Sequence, residues 1–310
     1  MRITNSMISS TYLTNLNNNL LKMDTLYQKG TTNRNILRLS DDPVGLLSAL
    51  QVRQRISDIT QYTKKNIQQA DLWMKQSESS LTEINEIIKD AYELALKSST
   101  AGISDTDKNA MAAELLQLRH QLVDACNSKV NNQYVFGGYN TTQAPFTVDA
   151  SEAILYNGVD MVNGNAADLA DLAEQELQIE IASGGLKMDI SFTGVDVMGT
   201  GNDNLYNIID SLYNDLLNGS DNIGQYADKL LDKQSYNMGL ISDIGARTNR
   251  LSLLQTRYAE DLVNYKTVQS DIEDADMAEI AVHYKMAQSV FDASLMMGAS
   301  LIKPTLLDYL

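Results

Sequence analysis

Apolar residues recur at steps of four and three in two long stretches near the ends of the chain, and an acidic, turn-rich middle separates them. The first rhythm runs from Val52 through Ile56, Ile59, Thr63, Asn66, Ala70 and Trp73 to Ser77, Ser80, Ile84, Ile87, Ala91 and Leu94. The second runs from Leu240 through Ile244, Arg247, Leu251, Leu254 and Tyr258 to Asp261, Tyr265, Val268 and Ile272. Each persists for several heptads, which predicts helices packed along coiled-coil seams. The polar members of the seams forgo the burial of a large apolar side chain; Asn66 is expected to fix helix register and Ser80 to face solvent. The fold class expected is mainly α with a β-containing insertion. Both chain ends form an elongated rod of antiparallel helical coiled coil, and a small α+β or β outer domain lies in the middle.

Local signals divide the chain further. Residues 1–38 carry a stripe of Leu13, Leu16, Leu20, Met23 and Tyr27, diluted by Thr, Ser and the run Asn17 to Asn19. Such poor helix formers make a helix that orders only against a partner. Ser40, Asp41, Asp42 and Pro43 restart the chain, with Asp42 placed to cap and Pro43 suited to the first helical position, so a helix should run from Pro43 to about Ser98. Thr100-Ala101-Gly102 breaks it, and Ser104 caps a third helix whose apolar step is Met111, Leu115, Leu118, Leu122 and Ala125. These two helices should pack as an antiparallel pair.

Gln133 to Tyr139 reads as a strand and turns. Leu177, Ile179 and Ile181 alternate with polar residues before Ser183-Gly184-Gly185, and Leu186, Met188, Ile190 and Phe192 resume the alternation, which predicts a hairpin. Helical spacing returns from Leu205 to Leu217 and again from Ile223. A last helix opens at Asp276 with Glu279 three residues on, a capping-box spacing. Its stripe is Met277, Ile280, Tyr284, Ala287, Phe291, Ser294, Gly298 and Leu301, and Pro304 stops it. Ala287, Ala293, Ser294, Gly298, Ala299 and Ser300 are small enough to admit another helix closely, as in a larger assembly.

The formal net charge is −16, unevenly spread: residues 1–70 carry +5 and residues 140–245 carry −14. The first stretch suits an acidic partner surface and the second a solvated exterior. No region is basic enough for nucleic acid, and none approaches the ~20 apolar residues of a membrane span. The first thirty residues lack the apolar core of a secretory signal peptide. The single cysteine, Cys126, excludes an internal disulfide and reads as a small core residue.

Candidate chemistry is sparse. His120 and His283 sit in helical patterns outside any ligand motif, so zinc is not expected. Gly199-Thr200-Gly201 is too short for a phosphate loop, Asp271, Glu273, Asp274 and Asp276 do not follow calcium-loop spacing, and no Gly-x-Ser-x-Gly elbow occurs. No catalytic residue, metal or cofactor is expected. Trp73, Tyr258 and Tyr265 read as core.

Four segments carry a family resemblance: Met1-Arg2-Ile3-Thr4, Arg38-Leu39-Ser40-Asp41-Asp42-Pro43, Tyr134-Val135-Phe136-Gly137-Gly138 and Ser270-Asp271-Ile272-Glu273-Asp274-Ala275-Asp276. Together they resemble the flagellin superfamily, and the second and third resemble its hook-associated, hook-filament junction branch. The likeness covers both terminal thirds and not the middle.

It implies a radial plan: residues 1–41 with 277–310 as an inner terminal coiled coil, disordered in the free monomer; 42–136 with 240–276 as a helical bundle; 137–239 as an outer variable domain. Arg38, Ser40, Asp41, Asp42 and Pro43 would be the helix-restart motif between the first two. Leu13, Leu16, Leu20, Met23, Tyr27, Ile280, Tyr284, Ala287, Phe291, Ser294, Gly298 and Leu301 would form the assembly interface. It further implies export of an unfolded chain through the flagellar type III apparatus, without a cleavable signal peptide, to the extracellular flagellum. The partners implied are neighbouring copies in a ring, the hook-side junction protein, flagellin, and a cytosolic export chaperone on the C-terminal helix. The rivals are the filament's bulk subunit and a cytosolic coiled-coil binding module.

Overall fold

The computed structural model describes residues 5–38, 40–99, 104–182, 185–218 and 223–301, with side chains from Met7 to Ala299. Met1 to Thr4, Leu39, the break at Thr100-Ala101-Gly102, the turn residues Ser183-Gly184 and the stop at Pro304 lie outside the described residues. The chain packs as two units: residues 1–58 with 260–310, and residues 59–259. As expected, most of the chain is helical, the two terminal helices pack on each other, and short strands are confined to the middle.

The second unit is built on helices. The helix expected from Pro43 to Ser98 is present as α2 (Pro43–Gln61), most of which belongs to the first unit, and α3 (Gln68–Ser98) in the second, with a π-helical turn at Tyr62–Ile67 between them. α4 (Asp105–Cys126) starts where Ser104 accepts a hydrogen bond from the Asp107 amide. It folds back antiparallel on α3, so that Ser80, early in α3, donates to the Ser128 hydroxyl just past the end of α4 at 2.7 Å. Ser80 is therefore buried rather than solvent-facing. The reason is that its small side chain leaves room for the chain to leave α4 against α3. Ser77 is buried too, and returns its hydrogen bond to the Trp73 carbonyl. Trp73, Met74, Ile84 and Ile87 from α3 share the core with Leu115, Leu122 and Cys126 from α4, and with Ile208, Leu212 and Leu216 from α7 (Leu205–Asn218). α8 (Gly224–Glu273) adds Leu230 and Ile244, and its Asn237 donates to the Leu81 carbonyl.

The strands are short. β1 (Lys129–Val130) and β2 (Gln133–Tyr134) are joined by Asn131 and Asn132, both at positive φ as a type I′ turn requires. The strand expected over 133–139 thus stops after two residues, and Val135 and Phe136 enter the core instead. β3 (Phe146–Val148), β4 (Ile154–Tyr156) and β5 (Val159–Asp160) form an antiparallel meander, with Asn157-Gly158 as a second positive-φ turn. Helix α5 (Ala166–Ala173) follows, and α6 (Gly194–Met198) opens with a full capping box between Thr193 and Asp196. Gly194 lies under the Phe146 and Tyr156 rings, where any Cβ would overlap them.

The hairpin of β6 (Gln178–Ala182) and β7 (Leu186–Asp189) has Ile179 opposite Met188, as the alternation predicts. A register shift between Glu180 and Ala182 breaks the alternation near the turn, and Leu186 is exposed. Asn66 does not bridge helices: its amide donates to the Glu180 carbonyl at 2.7 Å, and Tyr258 donates to the Ile181 carbonyl, so both hold this hairpin.

Candidate assembly interface on the terminal helices

α1 (Asn5–Thr32) and α9 (Met277–Leu301) pair antiparallel in the first unit. Tyr12 donates to the Ser294 carbonyl at 3.0 Å, the Tyr27 and Tyr284 rings lie 6.5 Å apart, and Gly30 faces Ile280. Gly298 is buried because the Tyr12 ring end lies where its Cβ would stand. On α9 the seam is the expected stripe: Ile280, Tyr284, Ala287, Phe291, Ser294 and Gly298 are each covered at least in part, while Met277 is exposed and the Leu301 side chain lies outside the described residues.

On α1 the covered positions Tyr12, Leu16, Asn19, Met23, Leu26 and Gly30 form a heptad one residue out of step with part of the expected stripe, and Gln28 and Lys29 are part-covered beside its end. Leu16 and Met23 are in the seam, whereas Leu13 and Tyr27 are about 60% exposed and Leu20 is also exposed. Tyr12, Asn19 and Gly30 were invisible to an apolar count because their value lies in a hydroxyl, an amide and a missing side chain.

The pair is apolar away from its seam as well. Val282, Met286, Val290 and Ala293 recur at helical spacing on a second face of α9 and are exposed, as are Leu13, Leu20 and Leu21 on α1, while Met297 borders the seam in a groove it shares with Met7, Ile8 and Tyr12. A shallow groove on that face of α9 is lined by Ala281, Val282, Met286 and Val290, with Lys285 and Ser289 at its polar edge. A soluble monomer rarely leaves so continuous an apolar surface open unless something binds it.

The inner ends of both terminal helices are tied to their neighbours. Asp41 accepts from the Leu37 and Arg38 amides behind it, while Asp42 accepts from the Val44 and Gly45 amides ahead, so the two aspartates close a turn and cap α2 from opposite sides of the break. Pro43 opens α2; Ser40 is exposed in the turn. Asn33, at positive φ, ends α1. The Asn35 amide then donates to the Glu273 carbonyl at 2.8 Å, and Arg34 pairs with Asp274 as a β-bridge. Arg53 grips Glu273 with both prongs at 2.6 Å. That charged hydrogen bond holds the Glu273 carboxyl below its ordinary range, against the opposing effect of burial. Asp276 caps α9 through the Ala278 and Glu279 amides; Glu279 does not return the bond and lies 3.4 Å from His283 instead.

One polar centre escaped the sequence reading. Arg119, buried on α4, meets Asp210 and Glu152 and lies over the Tyr206 ring at 5.4 Å. Its place beside Leu118 in an apolar run, with no acidic residue at helical spacing aimed at it, gave no signal. Arg53 and Glu273 were equally hidden, being far apart in the chain. Burial pushes the Cys126 thiol up, leaving it an unreactive core group. Among the described residues no cluster of His, Cys, Asp or Glu is placed to hold a metal ion, and no helix is long and apolar enough to cross a membrane.

Residues 3–141 match the bacterial flagellin N-terminal helical region, and residues 228–310 match the bacterial flagellin C-terminal helical region. The chain belongs to the flagellin superfamily. These two matched regions contain α1 to α4, the β1–β2 hairpin, α9 and nearly all of α8, leaving β3 to β7 and α5 to α7 between them. The chain is 24% identical over 312 residues to flagellar hook-associated protein 3 of Escherichia coli, with 95% of each chain covered. It is also 24% identical over 287 residues to flagellin of Bacillus subtilis, covering 90% of this chain and 89% of that one. A solved flagellar junction protein from Legionella pneumophila shares the fold, with a TM-score of 0.56 and 14% identity over 74% of this chain and all of the other. Flagellin-superfamily chains are structural proteins rather than enzymes.

Proposed function

We propose that this chain is the hook-filament junction subunit of a bacterial flagellum, an adaptor that stands on the hook side and receives the filament. The observation that carries an assembly role is that α9 is apolar on two faces and α1 covers only one. The match to hook-associated protein 3 over 95% of both chains supports the junction in particular. The assembly interface comprises Leu13, Leu20 and Tyr27 with the open stripe of α9. The seam of Leu16, Met23, Ile280, Tyr284, Ala287, Phe291, Ser294 and Gly298 shapes it from within.

In this reading, neighbouring copies form a ring through these faces, the hook-side junction protein lies below and flagellin above. The inner coiled coil of 1–41 with 277–310, the bundle of 42–136 with 240–276 and the outer domain of 137–239 succeed each other radially. A cytosolic chaperone covers the α9 stripe before the unfolded chain leaves through the type III apparatus. The experiment is antibody labelling of intact flagella with serum raised against residues 140–239, the acidic region. A single label where hook meets filament is expected. Label along the whole filament would make the chain the bulk subunit, and label found only inside the cell would make it a cytosolic module.

A further inference from the structure

Two irregularities of the second unit meet face to face. The first is the π-helical turn at Tyr62–Ile67. Along α3, buried positions repeat every seven residues at Ile67, Met74, Leu81, Ile88 and Ala95, whereas Ile59, the buried residue before them, stands eight residues ahead of Ile67. An α-helix turns by about 100° per residue, so in an unbroken one the extra residue would swing Ile59 away from the face that Ile67 presents. The π turn takes up that residue and keeps both in the core. The second irregularity is the register shift of the β6–β7 hairpin. Glu180 pairs with Lys187 and Ala182 with Leu186, which leaves Ile181, wholly buried, as the extra residue of a bulge.

Polar groups of the turn and the bulge answer each other. Tyr62 donates to the Glu180 carboxylate at 3.4 Å and Asn66 to the Glu180 carbonyl at 2.7 Å, both from the π turn. The Tyr62 ring stacks on Tyr258 with centroids 6.3 Å apart, and Tyr258 in turn donates to the Ile181 carbonyl at 2.7 Å. Inside the turn the Thr63 hydroxyl is buried without a hydrogen bond, a cost that the outward bonds must offset.

We propose that the π turn and the bulge form one conformational latch, in which the hairpin holds the extra helical residue in place and the helix holds the extra strand residue. Tyr62, Asn66 and Tyr258 are its positioning residues. Released, the extra helical residue is free to move along the helix and the hairpin to slip by one residue, which turns the buried face of a strand outward.

The test is amide hydrogen exchange, read residue by residue, on the purified full-length chain and four variants: deletion of Lys65, which is exposed in the π turn; Asn66→Ala; the two together; and Tyr258→Phe. The β3–β5 meander is the control. Deletion of Lys65 should lower protection of the β6–β7 amides about tenfold, the worth of one or two hydrogen bonds, and leave the meander unchanged. Asn66→Ala should lower it on its own yet add nothing to the deletion, because without the π turn its amide no longer meets the Glu180 carbonyl. Tyr258→Phe removes only a hydroxyl on the hairpin side, and should still loosen the Gln68 amide, which bonds back to the Lys65 carbonyl within the turn.

Unchanged hairpin protection after the deletion would overturn the latch. So would effects of the deletion and Asn66→Ala that multiply as independent changes do. Should the deletion variant not fold, Tyr258→Phe decides: loosening of hairpin and Gln68 amides together supports the latch, and loosening of the hairpin with Gln68 unmoved overturns it.

Discussion

Arg119 shows what a single side chain does for the second unit. It is only 4% exposed, yet it answers Asp210 and Glu152 at once and stacks over Tyr206, so it joins α4, α7 and the turn before β4. Removing a buried charge that serves two carboxylates leaves them facing an apolar gap. Glu152 is largely exposed and recovers its hydration, whereas Asp210 is mostly covered. Arg119→Ala should therefore cost about 2–3 kcal/mol, near the lower end for a broken buried pair. Arg119→Met, which keeps the aliphatic stem in contact, should cost less. Urea unfolding followed by the fluorescence of Trp73, the lone tryptophan, checks this in the same unit; unchanged midpoints for Arg119→Ala would remove the cluster from the account of stability.

At the level of elements, the tandem aspartates do two different jobs that a sequence motif cannot separate. Asp42 caps α2, and Asp42→Ala should destabilise that helix start by about 1 kcal/mol, the usual worth of a cap. Asp41→Ala should instead loosen the turn at Leu37 and Arg38 while leaving the cap intact. Hydrogen exchange at the Val44 and Gly45 amides against the Arg38 amide distinguishes the two. The clasp between Glu273 and Arg53 adds a pH dependence whose sign follows from the depressed carboxyl. Its contribution is fully present above the ordinary carboxylate range and is lost as pH falls through the lower folded value. Because Arg53 is 41% exposed, the effect is small and screened by salt. The protection factor of the Asn35 amide, which donates to the Glu273 carbonyl, should fall in that acid window in wild type. In Glu273→Gln it should already be lowered at neutral pH and change little there.

The elements also show what the chain made legible. Helix starts at Pro43, Ser104 and Asp276 were readable because caps are local: one side chain, one amide two or three residues on. The α9 seam was readable because its members are apolar or small at regular spacing. The α1 seam was read one residue out of step in part, since Tyr12, Asn19 and Gly30 contribute by hydrogen bonding or by absence. The hairpin of β6 and β7 showed in its alternation, while the β4–β5 turn at Asn157-Gly158 carried a plain Asn-Gly signal that strands of three and two residues were too short to frame. Ser80 and Asn66 were misjudged for a common reason. A heptad count asks only which helix faces which, and these two residues serve a loop after α4 and a hairpin.

For the molecule as a whole, burial is divided unequally between its two units, and that division sets how it opens. Of the described side chains on α1, none is buried, and on α9 only Gly298 is, so the pair rests on one half-covered seam and a few hydrogen bonds. The second unit holds Trp73, Phe136, Tyr156 and Leu81, Leu115, Leu122, Leu205, Leu212 and Leu216 at almost no exposure. Local opening follows buried apolar contact, so α1 and α9 should open far more often than α3 and α4. In the free chain, limited trypsin digestion should cut first at Lys22, Lys29 and Lys285 and leave a resistant fragment centred on residues 59–259. Early cuts at Lys187, Lys229 or Lys233, with Lys22 and Lys285 spared, would mean that the terminal pair is stable on its own and that its open apolar faces are not what hold it in an assembly. With the expected order of cuts, the same ends should become resistant once copies associate, because burial of the α9 stripe adds the contacts the lone chain lacks.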